Sequence, residues 1–191
     1  MRTAQIERKT KETDIKINLS LDGGEISVST GNGFFDHMLT AFLHHGGFGG
    51  TIICTGDTEV DFHHSAEDIG IVLGKAFDKA LGDKSCIKRY GSFAIPMDEA
   101  LSKAIVDISG RPFLVFNAEF SQEITGEFEL CLVEEFFRAF AYNAKITLHI
   151  NLEYGSNAHH EAEAIFKSVA HAMRKAVKST DKTLSTKGSI D

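Results

Sequence analysis

HHSAE at 63–67 returns as HHEAE at 159–163, and the residues around it return as well. GFFDHMLTAFLHHGGF (33–48) aligns with CLVEEFFRAFAYNAKI (131–146). In that register Phe34 meets Leu132, Asp36 meets Glu134, His37 meets Glu135, and Ala41 and Phe42 meet Ala139 and Phe140. Each segment has apolar residues at helical spacing and then turns into a strand-like run, GTIICTG or KITLHINL. HHxxE follows in each half, and after it a second helical pattern, DIGIVLGKAFDKAL or AIFKSVAHAMRKAV. An internal repeat makes both halves follow one path, which narrows the fold more than any local propensity.

Strand patterns precede the first helix of each half: IKINLSL and EISVST, then KAIVDIS and FLVFNAEF. The expectation is an α+β protein, a tandem duplication of two similar halves, 1–88 and 89–182. Each half would be a small, mostly antiparallel sheet packed with two helices. Segment 82–99, containing KRYGSFAIPMDEA, reads as the connector. The Phe-rich run EEFFRAFAY reads as a helix face packed on the sheet. The polar tail STDKTLSTKGSID (179–191) has the composition of a disordered end, with 183–191 as the candidate substrate-binding segment.

Residues i and i+4 share a helix face. His63 with Glu67, and His159 with Glu163, can therefore each hold one ion. The adjacent His64 and His160 point about 100° away, toward a second ion. A two-fold repeat resolves this. One site takes His159, Glu163 and His64; the other takes His63, Glu67 and His160. The repeat-equivalent His37 and Glu135 can each complete one of the two. Whether one chain or neighbouring chains supply both halves stays open at this point. Imidazole and carboxylate without thiolate suit manganese, iron or zinc, and octahedral manganese keeps positions open for substrate.

Composition excludes several classes. A net charge of −7 gives no basic footprint for nucleic acid or an anionic membrane. Cys54, Cys86 and Cys131 are odd in number and widely spaced, as expected of reduced thiols in a cytoplasmic protein. The first residues lack the apolar core of a signal peptide, and no run approaches the roughly 18 apolar residues of a membrane helix.

GFFDHML, DFHHSAEDIGIVLG, RYGSFAIPMDEAL, DISGRPFL, TLHINLEYGSNAHHEAEAIFK and the terminal STKG together resemble the imidazoleglycerol-phosphate dehydratase family, in the family's order, from about 9 to 188. The resemblance implies two manganese ions per active site and a 24-subunit homo-oligomer with sites shared between chains. It implies a first ion on His37, His64, His159 and Glu163, and a second on His63, Glu67 and His160. Glu135 stands where many members have histidine, which keeps a ligand and adds negative charge. The implied reaction converts D-erythro-imidazoleglycerol phosphate to imidazole acetol phosphate in histidine biosynthesis.

The proton lost from C2 of that substrate has no adjacent carbonyl, so the imidazole ring must be the electron sink. Manganese on the ring nitrogens would favour an imidazolate and then a diazafulvene-like intermediate. Glu12, in KTKET, matches the family's acid–base glutamate, and His45 is a second candidate. For His44 a helix-end cation is at least as good an account. Asp36 and Asp68 are expected to orient ligands, with helix capping as the competing account. Arg89 and Arg111 suit bidentate phosphate contact. Ser185, Thr186 and Lys187 resemble the terminal phosphate loop, expected to order when substrate binds. His149 fits a core or interface role, and His171 carries no assigned role. Two alternatives are a di-metal hydrolase and a non-catalytic assembly protein clamped by metal.

Overall fold

Residues 1–181 and 184 are described by the computed structural model. The first half runs β1 (Thr3–Lys9), β2 (Thr13–Ser20), β3 (Ile26–Ser29), α1 (Gly33–Gly46), β4 (Gly49–Gly56) and α2 (His63–Leu81). The second runs β5 (Tyr90–Met97), β6 (Ala100–Asp107), β7 (Phe113–Asn117), the small hairpin β8 (Ile124–Thr125) and β9 (Phe128–Glu129), α3 (Cys131–Ala144), β10 (Thr147–Tyr154) and α4 (Ala158–Ala176). The sheets have matching orders, β1-β2-β4-β3 and β5-β6-β10-β7. Each begins with an antiparallel hairpin and ends with a parallel pair, β3 with β4 and β7 with β10, joined through α1 or α3. The tandem duplication and its mostly antiparallel sheets are therefore present.

Strand alternation explains which face is covered. Thr13, Ile15, Ile17 and Leu19 of β2 are buried, as are Ala100, Ser102, Ala104 and Val106 of β6, at the period of two that sends alternate side chains to one face. That face carries the helices. Those of the first half meet those of the second, α1 against α4 and α2 against α3. Phe35 of α1 sits at the centre, with ring centroids 5.1 Å from Phe128, 5.3 Å from Phe136 and 5.7 Å from Phe62.

Two expectations are corrected, and one strand is added. Residues 90–97, read as connector, form β5, an edge strand of the second sheet. Thr3–Lys9, not among the strand patterns above, forms an edge strand of the first. Edge strands need only half the burial, so polar residues and Pro96 hide their pattern. The EEFFRAFAY helix packs on other helices across the repeat: Phe136 lies 5.5 Å from Phe166 of α4, and Phe140 lies 5.4 Å from Phe77 of α2.

Candidate metal centre and substrate site

Each HHxxE opens a helix, and the same local device starts both. Asp61 Oδ1 accepts the His63 N–H at 2.7 Å, and Asn157 Oδ1 accepts the His159 N–H at 3.0 Å. A short polar side chain two residues ahead thus occupies an otherwise orphan helix-start N–H and fixes the first turn. His63 Nε2 then lies 3.9 Å from Glu67, and His159 Nε2 lies 3.3 Å from Glu163, as i,i+4 spacing requires.

Packing of α1 on α4 adds His37, whose Nε2 is 3.4 Å from Glu163 Oε2. Ligand atoms of His37, His159 and Glu163 lie within 4.8 Å of one another, a spacing that one ion could draw together. Phe34 closes one flank, its ring centroid 5.3 Å from that of His159. Glu163 is nearly buried, and Lys167 Nζ lies 2.6 Å from its second oxygen. Burial pushes the Glu163 carboxyl up, but Lys167 and His37 outweigh it and hold it below the usual carboxylate range. It is therefore an anion ready for a cation. Lys167 was missed in the sequence, where a lysine four residues after a glutamate reads as a surface pair.

His64 and His160 point elsewhere. His64 Nδ1 lies 3.0 Å from Asp57, and its Nε2 lies 3.9 Å from Glu12 at the β1–β2 turn. His160 Nδ1 lies 2.8 Å from Glu99, and its Nε2 lies 3.8 Å from Asp98, both in the β5–β6 turn. The hydrogen bond to Asp57 raises the His64 pKa, and that to Glu99 raises the His160 pKa. Neither ring joins the His37 cluster within one chain. Glu135, on the second turn of α3, pairs with Arg138 at 3.7 Å.

Asp36 and Asp68 do not orient the ligands. Asp36 accepts from Thr30 N–H at 2.8 Å and Thr30 hydroxyl at 2.6 Å, securing the start of α1, where Asn32 caps Phe35 N–H. Asp68 accepts from Thr13 hydroxyl at 2.6 Å and pairs with Arg8, tying α2 to the first hairpin. Helix capping, the competing account, does not describe them either: Asn32 is the cap of α1, Asp68 lies in the second turn of α2, and both carboxylates find fixed donors of their own.

His45, at the far end of α1, has its ring 5.5 Å from His171, which stacks on Phe93 at 4.5 Å. Burial, then Lys167, lowers the His45 pKa, so its ring favours the neutral form. His44 sits in the last turn of α1, as a helix-end cation would. His149 is half-buried at the centre of β10.

Arg89 and Arg111 come together at the opposite end of the second sheet. Arg89 makes a two-point contact with Asp107 at 2.7 and 3.2 Å, and Arg111 reaches the same carboxylate at 3.6 Å. Arg89 Nη1 also donates to Leu184 O at 2.8 Å, which brings Leu184 beside that guanidinium group. Ser185, Thr186 and Lys187 lie outside the described residues.

Comparison with known proteins agrees with this picture. The profile of the family described as imidazoleglycerol-phosphate dehydratase matches residues 30–173. An imidazoleglycerol-phosphate dehydratase of Clostridium kluyveri is 54% identical over 194 residues, covering 100% of both chains. That of Methylorubrum populi is 53% identical over 195 residues, again with 100% of each chain covered. The crystal structure of the Staphylococcus aureus dehydratase superposes with a TM-score of 0.86 at 46% identity, over 93% of this chain and 99% of that one. The Pyrococcus furiosus enzyme, solved in complex with (S)-C348, gives 0.84 at 39% identity, over 96% and 99%. With its repeat, its two HHxxE helices and these relatives in agreement, the chain belongs to the imidazoleglycerol-phosphate dehydratase family of hydro-lyases.

Proposed function

We propose that this protein removes one water from D-erythro-imidazoleglycerol phosphate to give imidazole acetol phosphate, as a cytoplasmic enzyme of histidine biosynthesis using two manganese ions per active site. The observation that carries the reading is the convergence of His37, His159 and Glu163 from opposite repeat halves onto one point. Their donor set, two imidazoles and one buried carboxylate without sulfur, fits manganese.

Distances argue that neighbouring chains complete each site. Arg89 N–H bonds to Ala176 O at the end of α4, whereas Glu163 lies near its start, about 20 Å away at ~1.5 Å per residue. His160 and the β5–β6 turn are separated from Arg89 by the whole of β5, about 26 Å at ~3.3 Å per residue. The substrate spans only about 10 Å at ~1.5 Å per bond. Glu163 and His160 of one chain therefore cannot share one substrate molecule with that chain's own Arg89. In our reading α4 of one chain faces α2 of another. His37, His159 and Glu163 of the first then meet His64 of the second. His63, Glu67 and Glu135 of the second meet His160 of the first. Phosphate would lie on Arg89 and Arg111 with Ser185, Thr186 and Lys187. The closed assembly is expected to hold 24 subunits.

Bound manganese supplies Lewis acidity toward the imidazole ring. The remaining work falls to the chain. Glu12, carried by the β1–β2 turn beside His64, would move the C2 proton. His45, kept neutral by its surroundings, is the second acid–base group. Arg89, already fixed by Asp107, holds the phosphate without ordering a free side chain first.

The test is turnover of imidazoleglycerol phosphate by chelator-stripped protein before and after manganese is restored, with product mass. Loss of one water only with manganese is expected. Release of inorganic phosphate would favour the hydrolase reading. An intact, fully metallated oligomer without turnover would leave the metal as a clamp.

A further inference from the structure

In each half the two adjacent histidines are treated differently. The first of each pair, His63 or His159, faces its own i+4 glutamate through Nε2. The second has its Nδ1 held by a carboxylate: His64 by Asp57 at 3.0 and 3.2 Å, His160 by Glu99 at 2.8 Å. A proton placed on Nδ1 is given to that carboxylate, which leaves the lone pair on Nε2 and fixes the ring plane. Both rings remain partly exposed, so burial alone does not set their tautomer.

The two carboxylates are not counterparts in the repeat. Asp57 directly follows β4, and the residue that directly follows β10 is Gly155, which has no side chain to offer. Glu99 lies instead in the β5–β6 turn, whose counterpart in the first half is the β1–β2 turn bearing Glu12. The same Nδ1 contact is thus built twice from different elements. Duplication of the backbone does not account for that, whereas a shared requirement on Nε2 does.

We propose that Asp57 and Glu99 are positioning residues that aim His64 and His160 at the ions held by a neighbouring chain, an inference that rests on the shared-site reading above. These two histidines are the ones that cross between chains. Among the described residues their own chain offers them no ligand cluster, so their direction must be set before the partner arrives. Asp57 then serves the ion of His37, His159 and Glu163, and Glu99 serves the ion of His63 and Glu67.

The experiment is a manganese titration of the full-length assembled protein, with free manganese read by electron paramagnetic resonance. Wild type is compared with Asp57→Asn and Glu99→Gln, and dehydration is followed in parallel. Each variant should weaken one of the two bound equivalents by about 10- to 100-fold and leave the other unchanged. At saturating manganese, KM for substrate should stay near wild type, because neither carboxylate touches it. A merely structural role would lower stability without separating the two equivalents. Should Asp57→Asn fail to assemble, Glu99→Gln on its exposed turn carries the test. Wild-type uptake with unchanged binding in the assembled variants overturns this inference alone. A wild-type protein that takes up no manganese overturns both it and the functional reading.

Discussion

Two helix pairs cross the boundary between the repeat halves, and they differ in how they are closed. α2 meets α3 backbone to backbone. A methyl added at Gly70 would lie 2.5 Å from Phe136 O, and one at Gly74 would lie 2.6 Å from Phe140 O. Asp78 locks the far end, paired with Lys145 at 2.8 Å and Lys84 at 2.5 Å. α1 meets α4 through larger side chains, with Phe35 and Phe166 inside and His37, Glu163 and Lys167 along the edge. The ligand carboxylates follow suit. Glu163 has a side chain 9% exposed and a lysine partner, whereas its counterpart Glu67 is 47% exposed and has Ile71 at i+4. Duplication kept the backbone path, and side-chain divergence made one pair a close-packed seam and the other the wall of the candidate metal centre.

Breaking the candidate metal centre should have the largest effect. Glu163→Gln removes the charge that holds His37, His159 and Lys167 together. Dehydration is expected to fall by about 10³-fold, with one manganese equivalent lost, as read by kinetics and metal analysis. Loss of activity with both equivalents retained would mean that Glu163 binds no ion.

Breaking the close-packed member should affect stability instead. Gly74→Ala forces a methyl into the α3 backbone and should cost about 1–3 kcal/mol despite better helix propensity. That lowers Tm by roughly 2–4 °C per kcal/mol for a chain of this size. A Tm at or above wild type would show that the helices can move apart freely.

Making the two clusters alike sharpens the comparison. Glu135→His gives the second cluster the residue type of His37. The second equivalent should shift from manganese toward zinc by about tenfold, measured by metal competition, because imidazole is the softer ligand. An unchanged preference would remove Glu135 from the ligand set.

The smallest effect concerns acid. Burial raises the Asp78 carboxyl, but hydrogen bonds from Lys145 and Lys84 outweigh it and hold the folded pKa below the usual value. Its contribution to stability is therefore complete above about pH 4 and is lost as pH falls through the folded pKa. Asp78→Asn should lose less than about 1 kcal/mol at neutral pH and show a shallower decline in acid, as followed by thermal melts. An equal acid slope in both proteins would show that the pair adds nothing.

Much of this molecule was legible in its residues. Period-two and helical patterns located β2, β3, β4, β6, β7, β10 and all four helices. Of the four sheet edges, β1 and β5 escaped, since charged residues fill β1 and Pro96 interrupts the pattern of β5. Asp36 and Asp68 were misread because a carboxylate near a ligand looks the same in sequence whether it holds that ligand, a hairpin threonine or an arginine. Asp57, Glu99 and Lys167 carried no signal of their own.

By itself the sequence determined the duplication, the HHxxE helices and the divergence of the two histidines of each pair by about 100° around the helix. These follow from covalent spacing and the fixed turn of a helix. Only the tertiary structure decided that α1 would pair with α4, that Glu163 would be the buried carboxylate, and that Arg89 would stand a whole strand away from His160. Those facts depend on how two similar halves pack face to face, and spacing along one chain does not encode distance across an interface.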